Sequence, residues 1–109
     1  MDISRLESLK IILEKDPDDT FSRYALGLEF VSNKMFNEAL NTFEELINLN
    51  PNYHPTYYQL GKVYEAIGDT LMAKKIYEKG IYVTTSQSEL HARNELQLAL
   101  DELINFPDN

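Results

Sequence analysis

The amino-acid sequence repeats itself with a period of 34 residues, and this period constrains the fold more than any other feature. Gly27 and Gly61 are 34 residues apart, and so are Pro17 and Pro51. Further pairs in the same register are Tyr24 and Tyr58, Leu26 and Leu60, Phe30 and Tyr64, Ala39 and Ala73, Phe43 and Tyr77, Glu44 and Glu78, and Ile47 and Ile81. Because so many large or conformationally special residues do not fall into one register by chance, the chain contains an internal repeat.

Each period contains two helical patterns that are separated by a turn. In the first period, apolar residues recur at three- and four-residue steps over residues 20–32 and again over residues 37–49. Pro51 ends the second pattern, because the residue before a proline disfavours the helical conformation. The same reasoning predicts helices over residues 55–67 and 71–83 in the second period.

These short helices are apolar on more than one face, so each of them needs a neighbour on two sides. Gly27 and Gly61 lie in helix interiors, where glycine costs about 1 kcal/mol relative to alanine. The cost predicts a facing helix that leaves no room for a Cβ atom, with Ala39 and Ala73 as the small residues of that facing helix. Gly80 is predicted to mark a further close approach. The pattern therefore predicts an all-α protein of stacked helices.

These features resemble the tetratricopeptide repeat (TPR) family, whose repeat is a 34-residue helix-turn-helix with a Leu-Gly pair, aromatic and small packing residues, and a closing proline. The residues at the packing positions of the family are Leu26, Gly27, Phe30, Ala39, Phe43, Leu60, Gly61, Tyr64, Ala73 and Tyr77. The sequence departs from the family pattern at Arg23, an aromatic position, at Lys34, a glycine position, and at Thr85, a proline position. The resemblance implies a right-handed α-solenoid of antiparallel helix pairs with about six helices.

The 109 residues divide into two repeats and two end segments that together form one domain. Repeat 1 covers residues 20–53, and repeat 2 covers residues 54–87. Residues 1–19 are predicted to form an N-terminal cap helix that opens with a capping box at Ser4–Glu7. Residues 88–109 are predicted to form a C-terminal cap helix, since a short solenoid needs capping helices with a polar face.

The register of the last helix is predicted to leave the 34-residue period. A second capping box, Ser86–Glu89, is predicted to open this helix. The unshifted register would place a polar Asn-Glu pair at the Leu-Gly position of the repeat. A shift of two residues places Leu96 there instead, with Ala99 and Leu100 following, and this is the register that we expect.

The composition contains no sign of catalytic or metal-binding chemistry. The chain has no cysteine, which rules out disulfides, thiolate catalysis and cysteine-based metal sites. Its two histidines, His54 and His91, are isolated, whereas a structural metal site needs about four ligands. Residues 16–19 lack the alternating ligands, glycine and final glutamate of a calcium loop, so helix capping is their expected role. The sequence thus predicts a non-enzyme with no catalytic, metal or cofactor-binding residues.

The charge limits the range of partners. A formal net charge of −8 argues against nucleic acid and anionic membranes, because both attract Lys and Arg. The first ten residues are charged and lack the apolar stretch of a signal peptide. No apolar run approaches the ~20 residues of a membrane span. We therefore expect a cytoplasmic protein that binds no nucleic acid and does not insert into membranes.

In the TPR family, ligands commonly lie in a concave groove that is lined by the first helix of each repeat. The resemblance assigns this groove to Phe21, Tyr24, Leu28, Val31, Tyr58, Lys62 and Glu65. The groove is predicted to be nearly neutral, because Lys62 lies opposite Glu65. The alternative is that a cap helix covers part of this surface.

One TPR subgroup clamps acidic C-terminal peptides with Lys, Asn, Asn, Lys and Arg. At the corresponding positions, only Arg93 matches in the unshifted register, where Glu89 reverses a charge, and in the shifted register the last two positions fall on His91 and Glu95. The groove is therefore predicted to suit a partly apolar helix or extended peptide rather than a tail rich in carboxylates.

The predicted function is non-catalytic recognition of a partner protein or peptide in this groove. Rigid aromatic side chains with a polar tip, such as Tyr58, are common binding anchors. The alternative is a structural protein that forms homodimers by burying the apolar residues Leu98, Ile104 and Phe106 of the C-terminal cap. A third class, an enzyme, has no positive support in the sequence.

Overall fold

The computed structural model describes residues 3–105, which form six α-helices and no strand in that range. The helices are α1 (Ile3–Lys15), α2 (Thr20–Ser32), α3 (Phe36–Leu49), α4 (Pro55–Ala66), α5 (Thr70–Ser86) and α6 (Leu90–Asn105). Each helix packs on the next one along the chain, and α2 also contacts α4. The architecture is an all-α helical repeat solenoid, as the sequence predicts. None of the six described helices has the length and hydropathy that crossing a bilayer requires.

Helices α2 and α5 begin at aspartates whose side chains cap them, and α4 begins at a proline. The carboxylate of Asp19 accepts hydrogen bonds from the backbone N–H of Ser22 at 3.3 Å and from its hydroxyl at 2.8 Å, which caps α2. The hydroxyl bond and then the backbone bond hold the pKa of Asp19 below its usual value. Asp69 caps α5 by accepting from the backbone N–H of Met72 at 3.1 Å. Pro55 begins α4, where its missing N–H costs no helical hydrogen bond.

Helix α5 is longer than the sequence predicted. It continues to Ser86 instead of ending near Val83, because no proline stops it in the way that Pro51 stops α3. The predicted capping box at residues 86–89 is therefore wrong, since Ser86 is the last residue of α5. A three-residue turn follows, in which Ser88 adopts a left-handed conformation with φ of 58°.

The burial of α6 agrees with the shift of two residues. Leu96, Ala99 and Leu100 are all buried, with at most 7% of each residue exposed. Leu96 and Leu100 stand 36 residues after Leu60 and Tyr64, which are buried in α4. The longer α5 and the short turn after it thus bring the apolar stripe of α6, rather than its Asn-Glu pair, against the core.

Two predictions near the chain ends have different outcomes. The capping box at Ser4–Glu7 is wrong, because α1 already includes Ile3 and Ser4 lies inside the helix. Phe106 lies outside the described residues. Leu6 of α1 is buried in the core, so α1 closes the stack beside α2.

The two glycines at equivalent positions of α2 and α4 meet aromatic rings of the following helix. A Cβ atom at Gly27 would overlap the ring of Phe43, and one at Gly61 would overlap the ring of Tyr77. Phe43 and Tyr77 are completely buried. The glycines therefore let each pair of helices approach closely enough for a ring to lie against the backbone of its partner.

The small residues Ala39 and Ala73 lie on the facing helices α3 and α5, as the sequence predicts. Ala39 and Ala73 are completely buried, but the groups nearest to the helix glycines are the aromatic rings rather than these alanines. A Cβ atom at Gly80 would lie 2.7 Å from the Cβ of Tyr57 and 3.0 Å from the Cδ1 of Leu96. Gly80 thus allows α5 to approach both α4 and α6. All ten residues at the packing positions of the repeat are buried.

Equivalent positions of the two repeats make equivalent hydrogen bonds to the turn that precedes them. Arg23 donates from Nη2 to the carbonyl oxygen of Pro17 at 2.7 Å, and the hydroxyl of Tyr57 donates to the carbonyl oxygen of Pro51 at 2.6 Å. Arg23 also contacts Glu45 of α3 at 2.6 Å. A charged residue therefore holds the first repeat together at the position where the second repeat uses an aromatic one.

We expect Gly27→Ala to lower the free energy of unfolding by about 1–3 kcal/mol, because the added methyl group must displace the buried ring of Phe43. Urea unfolding followed by circular dichroism measures the change. Asn94→Ala, on the exposed side of α6, is the control and should leave stability within about 0.5 kcal/mol of wild type. Gly27→Ala that is as stable as wild type would contradict this packing.

Candidate functional site

Helices α2, α4 and α6 together line a cavity of about 250 Å³. Its lining residues are Tyr24, His54, Pro55, Tyr58, Gln59, Ala92, Glu95 and Leu96. A smaller cavity of about 180 Å³ is lined by Tyr58, Lys62, Glu95, Leu98, Ala99 and Glu102. Because Tyr58 and Glu95 line both cavities, the two form one depression, which we call the α2–α4–α6 groove.

Tyr24 is the wall of the groove that α2 contributes. Its ring lies edge-on to the ring of Tyr53 at a centroid distance of 5.4 Å and is tilted against Phe43 at 6.0 Å. Burial raises the pKa of the Tyr24 hydroxyl, and a hydrogen bond with Gln59 of α4 opposes that rise. The aromatic neighbours and this link between helices restrict the ring to one orientation.

Tyr58 is the wall that α4 contributes, and it belongs to a chain of polar contacts. The Nζ atom of Lys62 lies 5.5 Å from the centre of the Tyr58 ring and 3.6 Å from Glu65. The buried hydroxyl of Tyr77 donates a hydrogen bond to the same carboxylate. Burial, and then this hydrogen bond, raise the pKa of Tyr77 well above its usual value. The core residue Tyr77 thus fixes Glu65, which in turn orients Lys62 over the groove.

Four of the seven predicted groove residues come together in the structure. Tyr24 and Tyr58 line the larger cavity, and Lys62 lines the smaller one. Glu65 lines neither cavity but contacts Lys62. These four residues lie at the α2–α4 side of the groove.

The other three predicted groove residues line neither of these cavities. Phe21 projects into solvent with 74% of its surface exposed. Leu28 is partly exposed on α2, and Val31 packs against the core cluster. All three lie on α2. Tyr24 is the residue of α2 that lines the larger cavity.

Helix α6 contributes a stripe of residues that the predicted groove did not include. Glu95, Leu98 and Glu102 recur at three- and four-residue steps and form one stripe of that helix along the groove. The stripe has helical spacing in the sequence, but the family pattern assigns this segment to a cap helix. Helix α6 is a wall of the groove, and Glu95 stays more than half exposed.

The predicted groove residues of α2 and α4 carry offsetting charges, but the residues that α6 adds make the α2–α4–α6 groove acidic. Helix α4 supplies Lys62 and Glu65, which offset each other, and α6 adds the carboxylates of Glu95 and Glu102. His54, which lines the larger cavity, is counted as neutral at pH 7. The sequence could not reveal this charge, because it depends on which helix lies across from α4.

The described residues include no group of three or more His, Asp or Glu side chains that could hold a metal ion. His91 lies 3.2 Å from Glu95 one helical turn away, but its side chain is 94% exposed. The groove combines aromatic walls, one ammonium group and several carboxylates.

Comparison with known proteins places this chain in a family. A model described as TPR repeat matches residues 27–68, and a model described as tetratricopeptide repeat matches residues 54–86. The chain is 37% identical to a tetratricopeptide repeat domain protein from Salinibacter ruber, whose solution structure covers 86% of this chain with a TM-score of 0.80. That match spans 95% of the Salinibacter chain. The chain belongs to the tetratricopeptide repeat family.

Two further proteins are similar to this chain. A TPR repeat-containing protein of Pseudomonas aeruginosa is 24% identical over 98 residues, which cover 90% of this chain and 93% of that protein. The TPR2B domain of yeast Sti1, solved in a complex with pHsp70, has a TM-score of 0.85. It is 12% identical, with 92% of this chain and 80% of that chain covered, so it shows the fold alone. TPR repeats indicate a protein–protein interaction module, and the fold is generally non-catalytic.

We expect alkaline conditions to destabilise the fold through Tyr77. Its pKa is raised in the folded state, so its contribution to stability is intact below the usual tyrosine pKa of 10.0 and is lost as the pH rises above that value. Tyr77→Phe removes the titrating hydroxyl. The free energy of unfolding of this variant, measured with urea from pH 8 to 11, should fall less steeply than that of wild type.

The control for this prediction is Tyr82→Phe, because Tyr82 lies on the same helix and is 75% exposed. It should keep the wild-type dependence on pH. At pH 8, Tyr77→Phe should cost about 0.5–1.5 kcal/mol for the lost hydrogen bond to Glu65. Parallel slopes of Tyr77→Phe and wild type would show that the buried hydroxyl does not control the alkaline limit.

Proposed function

We propose that the protein is a non-enzymatic module that binds a peptide or helix of a partner protein in the α2–α4–α6 groove. The observation that carries this proposal is the pairing of Tyr24 and Tyr58 as walls of one cavity of about 250 Å³. Tyrosine offers a large, rigid contact area together with a hydroxyl, and such residues are enriched in binding hot spots.

The proposed mechanism is recognition by a preformed surface. Tyr24 is held by Phe43 and Tyr53, and Lys62 is held over Tyr58 by its contact with Glu65. Because these side chains are already ordered, this protein loses little conformational entropy when a partner binds. An apolar side chain of the partner would enter the cavity, and polar groups would meet its charged rim.

Membership of the TPR family supports a protein as the partner. The TPR2B domain of yeast Sti1, which has a similar fold, was solved in a complex with pHsp70. That complex concerns Sti1 and does not identify the partner of this chain. The cytoplasmic location and the absence of nucleic-acid binding stay predictions from the sequence.

We expect Tyr58→Ala to weaken binding of a partner segment at least about tenfold, because it removes an aromatic wall of the groove. The partner is identified by affinity capture with the full chain, purified, and titrated by calorimetry. Lys62→Ala should also change the affinity, because it removes a charged group from the rim of the groove. Tyr82→Ala, on the exposed side of α5, is the matched control and should bind as wild type does. Unchanged affinity of both Tyr58→Ala and Lys62→Ala would refute a role of the groove.

The alternative proposal is self-association through α6. Leu98 and Ile104 favour it, because they are 59% and 51% exposed. In that case the sedimentation coefficient rises with protein concentration, and a Leu98→Glu/Ile104→Glu variant stays monomeric. A wild-type protein that sediments as a monomer at every concentration, up to the highest that is soluble, would exclude this alternative.

A further inference from the structure

We infer that the segment bound in the α2–α4–α6 groove is cationic, with an Arg or Lys side chain that enters between Tyr24 and Tyr58 and pairs with Glu95. This inference rests on the proposed function, because it names the chemistry of the partner in the same groove. It follows from the charges that α6 adds, from the aromatic faces beside them, and from their spacing.

The carboxylates of the groove differ in whether they already have a partner. Glu65 accepts the hydrogen bond of Tyr77 and lies beside Lys62. Glu95 contacts only the imidazole of His91 among the described residues, and that ring is charged only when it is protonated. Glu102, which lines the smaller cavity, has no ion pair within the described part of the chain. Two carboxylates of α6 are therefore available to a cationic ligand.

The aromatic walls add a second attraction for a cation. The Nζ atom of Lys62, which lines the smaller cavity, lies 5.5 Å from the centre of the Tyr58 ring, so this ring already attracts a positive charge. Tyr24 and Glu95 line the same cavity as Tyr58. A guanidinium group that entered this cavity would meet aromatic surface and a carboxylate together, an environment that favours Arg over other side chains.

The spacing along α6 specifies the pattern of the ligand. Glu95 and Glu102 are two helical turns apart, which corresponds to about 10 Å, and Leu98 lies between them. A complementary segment carries two cationic residues with an apolar residue between them. This spacing corresponds to about three residues of an extended chain or seven residues of a helix. An acidic peptide would instead place like charges against both carboxylates.

The test is the selection of binders from a random 16-residue peptide library displayed on phage, with the full chain as the target. We expect selected peptides to contain at least about threefold more Arg and Lys than the unselected library and to be depleted of Asp and Glu. The cations should recur with an apolar residue between them. Synthetic copies of the selected peptides are then titrated by calorimetry.

Two matched variants separate the groove from the general acidity of the chain. Glu95→Gln/Glu102→Gln removes two charges from the groove and should weaken binding about five- to tenfold, in line with two partly exposed charge pairs. Glu14→Gln/Glu78→Gln removes two charges from exposed positions of α1 and α5, which do not line the groove, and should leave affinity unchanged. Binding to wild type should also weaken as the salt concentration rises.

The possible results distinguish this inference from the proposed function. Neutral or acidic peptides whose binding depends on Tyr58 would overturn the cationic partner but preserve the groove. Cationic peptides that bind both double variants equally would overturn the inference, because the attraction would then be nonspecific. Peptides that bind Tyr58→Ala as tightly as wild type would count against the groove itself. Concentration-dependent self-association that Glu95→Gln/Glu102→Gln abolishes would assign the groove to a second copy and overturn the inference.

Discussion

The contact between a helix glycine and an aromatic ring of the next helix sets the geometry of each repeat. Gly27 meets Phe43, and Gly61 meets Tyr77 one period later. A side chain at either glycine would force the two helices apart, and the rings would lose their dense packing. Because each helix also packs on its other neighbour, this spacing is passed along the stack and fixes the relative positions of α2 and α4.

The same two rings also contact residues of the groove or residues that orient them. Phe43 packs against Tyr24, and Tyr77 holds Glu65 through its buried hydroxyl. Glu65 then orients Lys62 over Tyr58. The aromatic walls of the groove are thus continuous with the core, so a change in core packing alters the binding surface as well as the stability of the fold.

The charge of the molecule is distributed unevenly around this frame. The net charge of −8 includes carboxylates that cap helices, such as Asp19, and others that face the groove, such as Glu95 and Glu102. The capping carboxylates stabilise helix ends and carry no information about partners. The groove carboxylates stand beside aromatic surface, where a cation gains both an opposite charge and a ring face. Their position therefore matters more for recognition than the total charge does.

The sequence by itself determined the repeat, its helices and the close approach at Gly27 and Gly61, because periodicity and steric exclusion act over short distances along the chain. It also placed Tyr24, Tyr58 and Lys62 on the correct helices. Only the tertiary structure decided that α6 forms a wall of the groove, that this wall makes the groove acidic, and that Phe21 lines neither cavity. The reason is that Gly80 lets α5 pack against both α4 and α6, so the place of α6 depends on three helices together and not on the pattern within one repeat.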